Sequence, residues 1–231
     1  MFGFFSMTDL MLLIPAFLLA MYAQMKVKST YAQYNKVRSR SGLTGAQVAR
    51  NILRENNVTD VDVEEIGGKL SDHYDPRAKK LRLSSDIYHS SSVAALGIAA
   101  HEVGHAIQHN VQYAPLHFRN GLFPVANIGS QLAMPLFIAG LFFQRSMGFL
   151  MDVGILLFVG AVLFQVVTLP VEFNASSRAL YQLETGGYLA RDEIKPARKV
   201  LSAAALTYVA ATAVAIMHLV RLLLIRGMGD D

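Results

Sequence analysis

Four stretches of this chain are too long and too apolar to be ordinary core helices. They cover residues 4–24, 122–143, 149–169 and 203–225, each close to the roughly 20 residues that an α-helix needs to cross a bilayer. A backbone in lipid must satisfy its own N–H and C=O groups, so runs of this kind can only be helices. Composition agrees. Hydrophobic residues make up 53% of the chain and charged residues 16%, against about 25% charged in a typical soluble domain. The first run has no basic residue before it and is followed by Lys26 and Lys28, so it reads as an uncleaved anchor and not as a signal peptide.

The basic residues decide orientation. Thirteen lie in residues 25–121, five in 170–202, and only Arg145, Arg221 and Arg226 elsewhere. Those near the span ends (Lys26, Lys28, Arg119, Lys195, Arg198 and Lys199) point the same way. Both termini are therefore expected outside, both long connections inside, and the second and third spans are expected to form a hairpin through an outer turn at 144–148. The net charge of +4 is a topology signal, with no nucleic acid as partner. Without cysteine there is no disulfide, thiolate ligand or cysteine nucleophile, as suits a cytoplasmic site. Charges at the outer span ends are costly unless paired, so Asp9, Asp152 and Arg221 are expected to form a salt cluster.

Residues 25–121 and 170–202 should carry the polar structure. The segment 44–56, "TGAQVARNILREN", has Thr44 as N-cap and Ala46, Ala49, Ile52 and Leu53 on one face, which predicts an amphipathic helix. "VTDVDVEEI" predicts a strand, Gly67-Gly68 a turn, and "KLSDHYDPRAKKLRLS" two short strands joined around Asp75-Pro76-Arg77. "VAALGIAAHEVGHAIQHN" follows capping serines and predicts a helix with a buried first half. The fold class expected is α+β, mainly helical: a four-helix transmembrane bundle with a small cytoplasmic domain containing a short β-sheet.

The chemistry lies on that helix. His101-Glu102-Val103-Gly104-His105 is an HExxH sequence. Two histidines four residues apart share one helical face, where both imidazoles can reach one Zn²⁺. Glu102, beside the first histidine, is the candidate catalytic residue. It would take a proton from an attacking water and hand it to the leaving amine. Gly104 leaves room between the ligands. A catalytic zinc takes three protein ligands and a water. In the three-histidine pattern the glycine position would be Gln108 and the third histidine Val111, which excludes that class. The later carboxylates are Asp152, Glu172, Glu184, Asp192, Glu193, Asp230 and Asp231. Glu172 stands out, because a hairpin of the second and third spans returns it to the face of His101 and His105. The alternative is a solvated carboxylate at a helix start. Ser176, one turn along, is a candidate to bond the far nitrogen of a histidine, and Arg178 to steady a carboxylate or a developing oxyanion. His109 reads as a polar neighbour rather than a fourth ligand, and His73 as a turn histidine. The last residues, "RGMGDD", read as disordered.

"SDHYDPRAKKLRLS", "AAHEVGHAIQH" and "PVEFNASSRAL" together resemble the bacterial neutral zinc metallopeptidases, the YugP-like membrane family, over nearly the whole chain. A more distant likeness is to the membrane gluzincins of the HtpX and CAAX-protease group, which also take a glutamate as third ligand. The resemblance implies His101, His105 and Glu172 as metal ligands and Glu102 as base. That distant group carries Asp four residues after the ligand glutamate, where this chain has Ser176. In gluzincins a strand beside the active helix receives the substrate backbone, and residues 79–84 are the candidate here, with an extended peptide expected to add to the edge of that strand by main-chain hydrogen bonds. The function expected is a multi-pass, zinc-dependent endopeptidase of the cell membrane. It would act on polypeptides, membrane proteins among them, at the cytoplasmic face of the bilayer. The alternatives are an intramembrane protease of the site-2 type, for which Asp152 would be the third ligand, and a non-catalytic metal-binding scaffold.

Overall fold

The computed structural model describes residues 7–227, with side chains from residue 11 onward. The first residues of the first expected span, the side chain of Asp9 and the tail past Gly227 lie outside the described residues. The elements run α1 (Met7–Tyr34), α2 (Gly45–Glu55), β1 (Asp62–Ile66), β2 (His73–Asp75), β3 (Lys80–Ser84), α3 (Ser85–Tyr88), α4 (Val93–Asn110), α5 (Ala114–Phe142), α6 (Gln144–Met147), α7 (Phe149–Thr185) and α8 (Arg191–Gly227). The fold is mainly helical with one three-stranded sheet. α1, α5, α7 and α8 are each long and apolar enough to cross a membrane. All four outrun the apolar runs read from the sequence, because the helical hydrogen-bond ladder continues into polar segments at 24–34, 114–121, 170–185 and 191–202. Pro115 accordingly opens α5. The break before it falls at Gln112, whose φ of 53° is left-handed.

The chain divides into two compact units: Met1–Ala23, His117–Leu169 and Thr207–Asp231 form one, Gln24–Leu116 and Pro170–Leu206 the other. The first is built from the apolar lengths of α1, α5, α7 and α8. Its inner cluster is Phe137, Met151, Ile155 and Leu222. Large apolar side chains such as Phe17, Phe142 and Leu156 face outward, an arrangement that water penalises and lipid does not. Asp152 has a partner, as expected of a charge at a span end, and that partner is Arg226: Arg226 Nε is 2.8 Å from Oδ1 and Nη2 is 3.3 Å from Oδ2. Asp152 lies in the first turn of α7 and Arg226 in the last turn of α8, so each charge also complements the dipole of its own helix.

The second unit is built from local signals that the sequence states plainly. Thr44 and Gln47 form a reciprocal capping box at the start of α2, satisfying two backbone donors at once. Ser92 caps α4, accepting from Ala95 N at 3.1 Å and donating to Asn35 Oδ1 at 2.8 Å. Asp75 Oδ1 accepts from the N–H groups of Arg77 and Ala78, both at 3.0 Å, and this Asx-type turn closes the β2–β3 hairpin. The core joins one face of α2, the inner residues of β3 and the first half of α4, with Ile52, Leu81, Leu83, Leu96, Val103 and Leu183 sealed from solvent.

The sheet order is β1-β3-β2. β3 pairs in parallel with β1 from Asp62↔Lys80 to Ile66↔Ser84 and antiparallel with β2 from His73↔Arg82 to Asp75↔Lys80. The expectation that residues 79–84 offer a free edge to substrate is therefore corrected: β3 is the central strand. It alternates buried Leu81 and Leu83 with half-buried Lys80 and Arg82. Those cations pair with Glu64 on β1 and, for Arg82, with Asp75 on β2, which ties the central strand to both neighbours. Leu81 is fully buried in this core. Leu81→Ala is expected to cost about 2–5 kcal/mol, read as a lowered thermal midpoint of the full-length protein in detergent.

Candidate metal centre

α4 presents its two histidines at i and i+4, with ring centroids 4.8 Å apart and planes nearly perpendicular. Glu172 comes from α7, two residues after Pro170. Its Oε2 lies 3.3 Å from His101 Nε2 and 3.6 Å from His105 Nε2. One carboxylate oxygen thus faces the same nitrogen of both imidazoles. The side chains are shielded: 14% exposed for His101, 13% for His105 and 5% for Glu172. Among the described residues these three form the one cluster of His, Cys, Asp or Glu ligand atoms, all within 4.8 Å of one another. Two imidazole nitrogens and one carboxylate oxygen suit Zn²⁺, and a three-ligand set leaves a position for water. The donor set therefore fits the metal read from the sequence.

The backbone of α7 reaches α4 at Gly104. A Cβ there would sit 2.6 Å from the carbonyl oxygen of Ala175. The glycine serves this helix crossing, and not only the space between ligands. The crossing brings Glu172, three residues before Ala175, alongside His101 and His105. Burial alone would push the His105 imidazole toward neutrality, but the hydrogen bond and charge of Glu172, with lesser help from Glu102 and Gln108, raise its pKa above the usual histidine value. A metal ion entering here competes with that proton.

Each histidine is held from behind. Ser176 Oγ lies 3.1 Å from His101 Nδ1, the contact to a far histidine nitrogen expected of it. Arg178 reaches neither histidine. Its Nε donates to Asn174 Oδ1 at 2.8 Å, and the contact to His105 Nδ1 is Gln108 Oε1 at 3.0 Å. Gln108 Nε2 donates to the Val171 carbonyl at 2.8 Å and to Asn174 Oδ1 at 3.0 Å. Sequence reasoning uses Gln108 only to exclude the three-histidine pattern and passes over Asn174. The signal for Gln108 is a polar residue on the buried face of α4, one turn beyond Gly104. Glu102 is 9% exposed and, among the described residues, accepts no hydrogen bond. No buried side-chain oxygen in the described residues lacks a partner, so its carboxylate reaches solvent-accessible space.

The remaining candidates lie apart from the cluster. His109 Nδ1 is 2.8 Å from the hydroxyl of Tyr74 on β2. His73 Nδ1 contacts the Ser71 carbonyl and its Nε2 contacts Arg82. His89 pairs with Glu65. Asp152, paired with Arg226, is not among the clustered ligands.

A chain with four helices able to cross a membrane and two histidines closed by a glutamate falls in the class of membrane proteins with a candidate metallohydrolase centre. More specifically, it belongs to the family described as "Putative neutral zinc metallopeptidase", whose model matches residues 9–227. It is 47% identical over 225 residues to the "Putative membrane protease YugP" of Bacillus subtilis (strain 168), an alignment covering 97% of this chain and 99% of the relative. No solved structure gives a significant match.

Gly104 and Gly97 make a controlled pair. A Cβ at 104 meets backbone at 2.6 Å, whereas at 97 it meets only Ala197 at 3.8 Å, an ordinary contact. Gly104→Ala is expected to move α7 and weaken zinc binding at least about tenfold. Gly97→Ala is expected to keep it, as measured by competition with a chelating dye.

Proposed function

We propose that this chain is a zinc-dependent endopeptidase that hydrolyses peptide bonds of polypeptides, membrane proteins among them, beside the cytoplasmic face of the cell membrane. The observation that carries the reading is the approach of one Glu172 oxygen to the Nε2 atoms of both His101 and His105. Those three groups would hold Zn²⁺ in the gluzincin manner. When bound, zinc acts as a Lewis acid that polarises a carbonyl and lowers the pKa of water toward about 7.

The remaining work falls to the chain. Glu102, adjacent to the first histidine and open to water, takes a proton as the water oxygen attacks the peptide carbonyl. A C–O bond forms, the C–N bond breaks, and Glu102 returns the proton to the departing amine. No covalent intermediate with the protein is needed. Ser176 and Gln108 keep the imidazoles aimed, and the low exposure of the three ligands limits competing water.

The distribution of lysine and arginine supports the orientation, with both termini outside and residues 25–121 and 170–202 inside. The site-2 alternative needs Asp152 as a ligand, yet Asp152 pairs with Arg226. A scaffold would have no use for a carboxylate left unbonded beside the first histidine.

Three variants test the chemistry in purified protein. Glu102→Gln is expected to retain one zinc and lose about 10²–10⁴-fold in peptide hydrolysis. Glu172→Ala is expected to lose zinc, and Asp152→Ala to keep both zinc and activity. Full activity in Glu102→Gln, or full zinc in Glu172→Ala, would sink the assignment. Because the chain has no cysteine, orientation can be read by single-cysteine labelling. An impermeant maleimide added to intact cells is expected to label Arg145→Cys and spare Lys69→Cys.

A further inference from the structure

We propose that Gln108 is a positioning residue that fixes the tautomer of His105, and that Asn174 and Arg178 lock Gln108 in the one orientation able to do so. The inference rests on reading His105 as a metal ligand. It adds the identity of the group that makes His105 ready to be one.

Gln108 is completely buried, so both its amide N–H groups and its carbonyl must find partners inside the protein. One end of the amide lies 2.8 Å from the backbone carbonyl of Val171. A carbonyl oxygen can only accept, so that end is the NH₂. Its second N–H goes to Asn174 Oδ1 at 3.0 Å. Asn174 is oriented by the same logic: Arg178 Nε, 2.8 Å away, can only donate, so the atom facing it is oxygen. With both amide orientations settled by obligate partners, Gln108 Oε1 is the atom 3.0 Å from His105 Nδ1.

That oxygen carries no hydrogen. The bond exists only if His105 Nδ1 bears the proton, which leaves the lone pair of the neutral ring on Nε2. Nε2 is the atom that faces Glu172. A chain of donors and acceptors therefore runs from Arg178 through Asn174 and Gln108 and ends by exposing one particular nitrogen to a metal. His101 has no such constraint. Its partner, Ser176, is a hydroxyl that can donate or accept. The two histidines of the motif are thus prepared differently, one by an amide in a fixed orientation and one by a rotor.

A simple tie between α4 and α7 would use the same bonds, so the experiment must separate orientation of the ligand from stability. The full-length protein in detergent is stripped of metal. Its zinc dissociation constant is measured by chelator competition alongside the melting of the metal-free form. Wild type is compared with Gln108→Leu, Asn174→Leu and Asn174→Asp. Loss of a ligand's outer partner typically weakens a metal site about 10–100-fold, and this loss is expected for Gln108→Leu and Asn174→Leu. Asn174→Asp keeps an oxygen that accepts from both Gln108 and Arg178, so its zinc affinity is expected to stay near wild type. Wild-type affinity in Gln108→Leu, or equal loss in Asn174→Asp and Asn174→Leu, would overturn the inference. The Asn174 pair decides the matter if Gln108→Leu does not fold. A wild-type protein that binds no zinc would instead overturn the metal-site reading beneath it.

Discussion

The Ala175 carbonyl occupies space that any side chain at position 104 would need, and this contact between two helix backbones sets the rest of the centre. α4 offers two imidazoles one turn apart, but a helix cannot bend to supply its own third ligand on the same face at the right height. That ligand must come from another helix whose backbone approaches closely. Once α7 touches α4 at Gly104, its residues fall into place by helical geometry alone. Glu172 lies one turn before the contact and faces the histidines. Ser176 lies one residue after it and stands behind His101. Asn174, one residue before it, meets the buried Gln108.

A close crossing of this kind is costly unless the polar groups it buries are satisfied. Gln108 would be a liability in an apolar helix interface, since each unpaired amide group costs about 1–3 kcal/mol. Instead it engages Val171, Asn174 and His105 together, and no buried side-chain nitrogen or oxygen among the described residues is left without a partner. The same bonds therefore hold the helices in register and aim the ligands. Such coupling leaves little freedom for sequence change: a larger residue at 104 or an apolar one at 108 disturbs packing and chemistry at once.

Much of this was legible in the residues. Caps at Thr44 and Ser92, the Asp75 turn and the four apolar runs are local signals, written within a few positions of where they act, and the elements follow them. Glu172 was reachable because a membrane hairpin constrains where the chain returns. What escaped was set by contacts between distant segments. The parallel return of β1 onto β3 has no local signature, so the sequence alone does not reveal that β3 is the central strand. Arg226, in the last turn of α8, pairs with Asp152, a contact between two distant helices that no short stretch of sequence announces. Gln108 escaped for a different reason. A buried glutamine looks like a defect in an apolar pattern until its partners on α7 are known, and they lie 63–66 residues away.

The choice of a neutral amide and a neutral hydroxyl behind the two histidines has an electrostatic consequence. Glu172 and Glu102 bring two carboxylates to this shielded site, whose charge a divalent cation would balance. A carboxylate in the place of Gln108 would add a third. It would raise the basicity of His105, but it would also bury a charge with no cation of its own, at a cost of several kcal/mol, and would forfeit the two N–H groups that hold Val171 and Asn174. Ser176 likewise places a neutral group, not a charged one, behind His101. Both outer partners are thus uncharged in one site, so the imidazoles would be weaker donors to a bound cation and more of its positive charge would remain for other ligands.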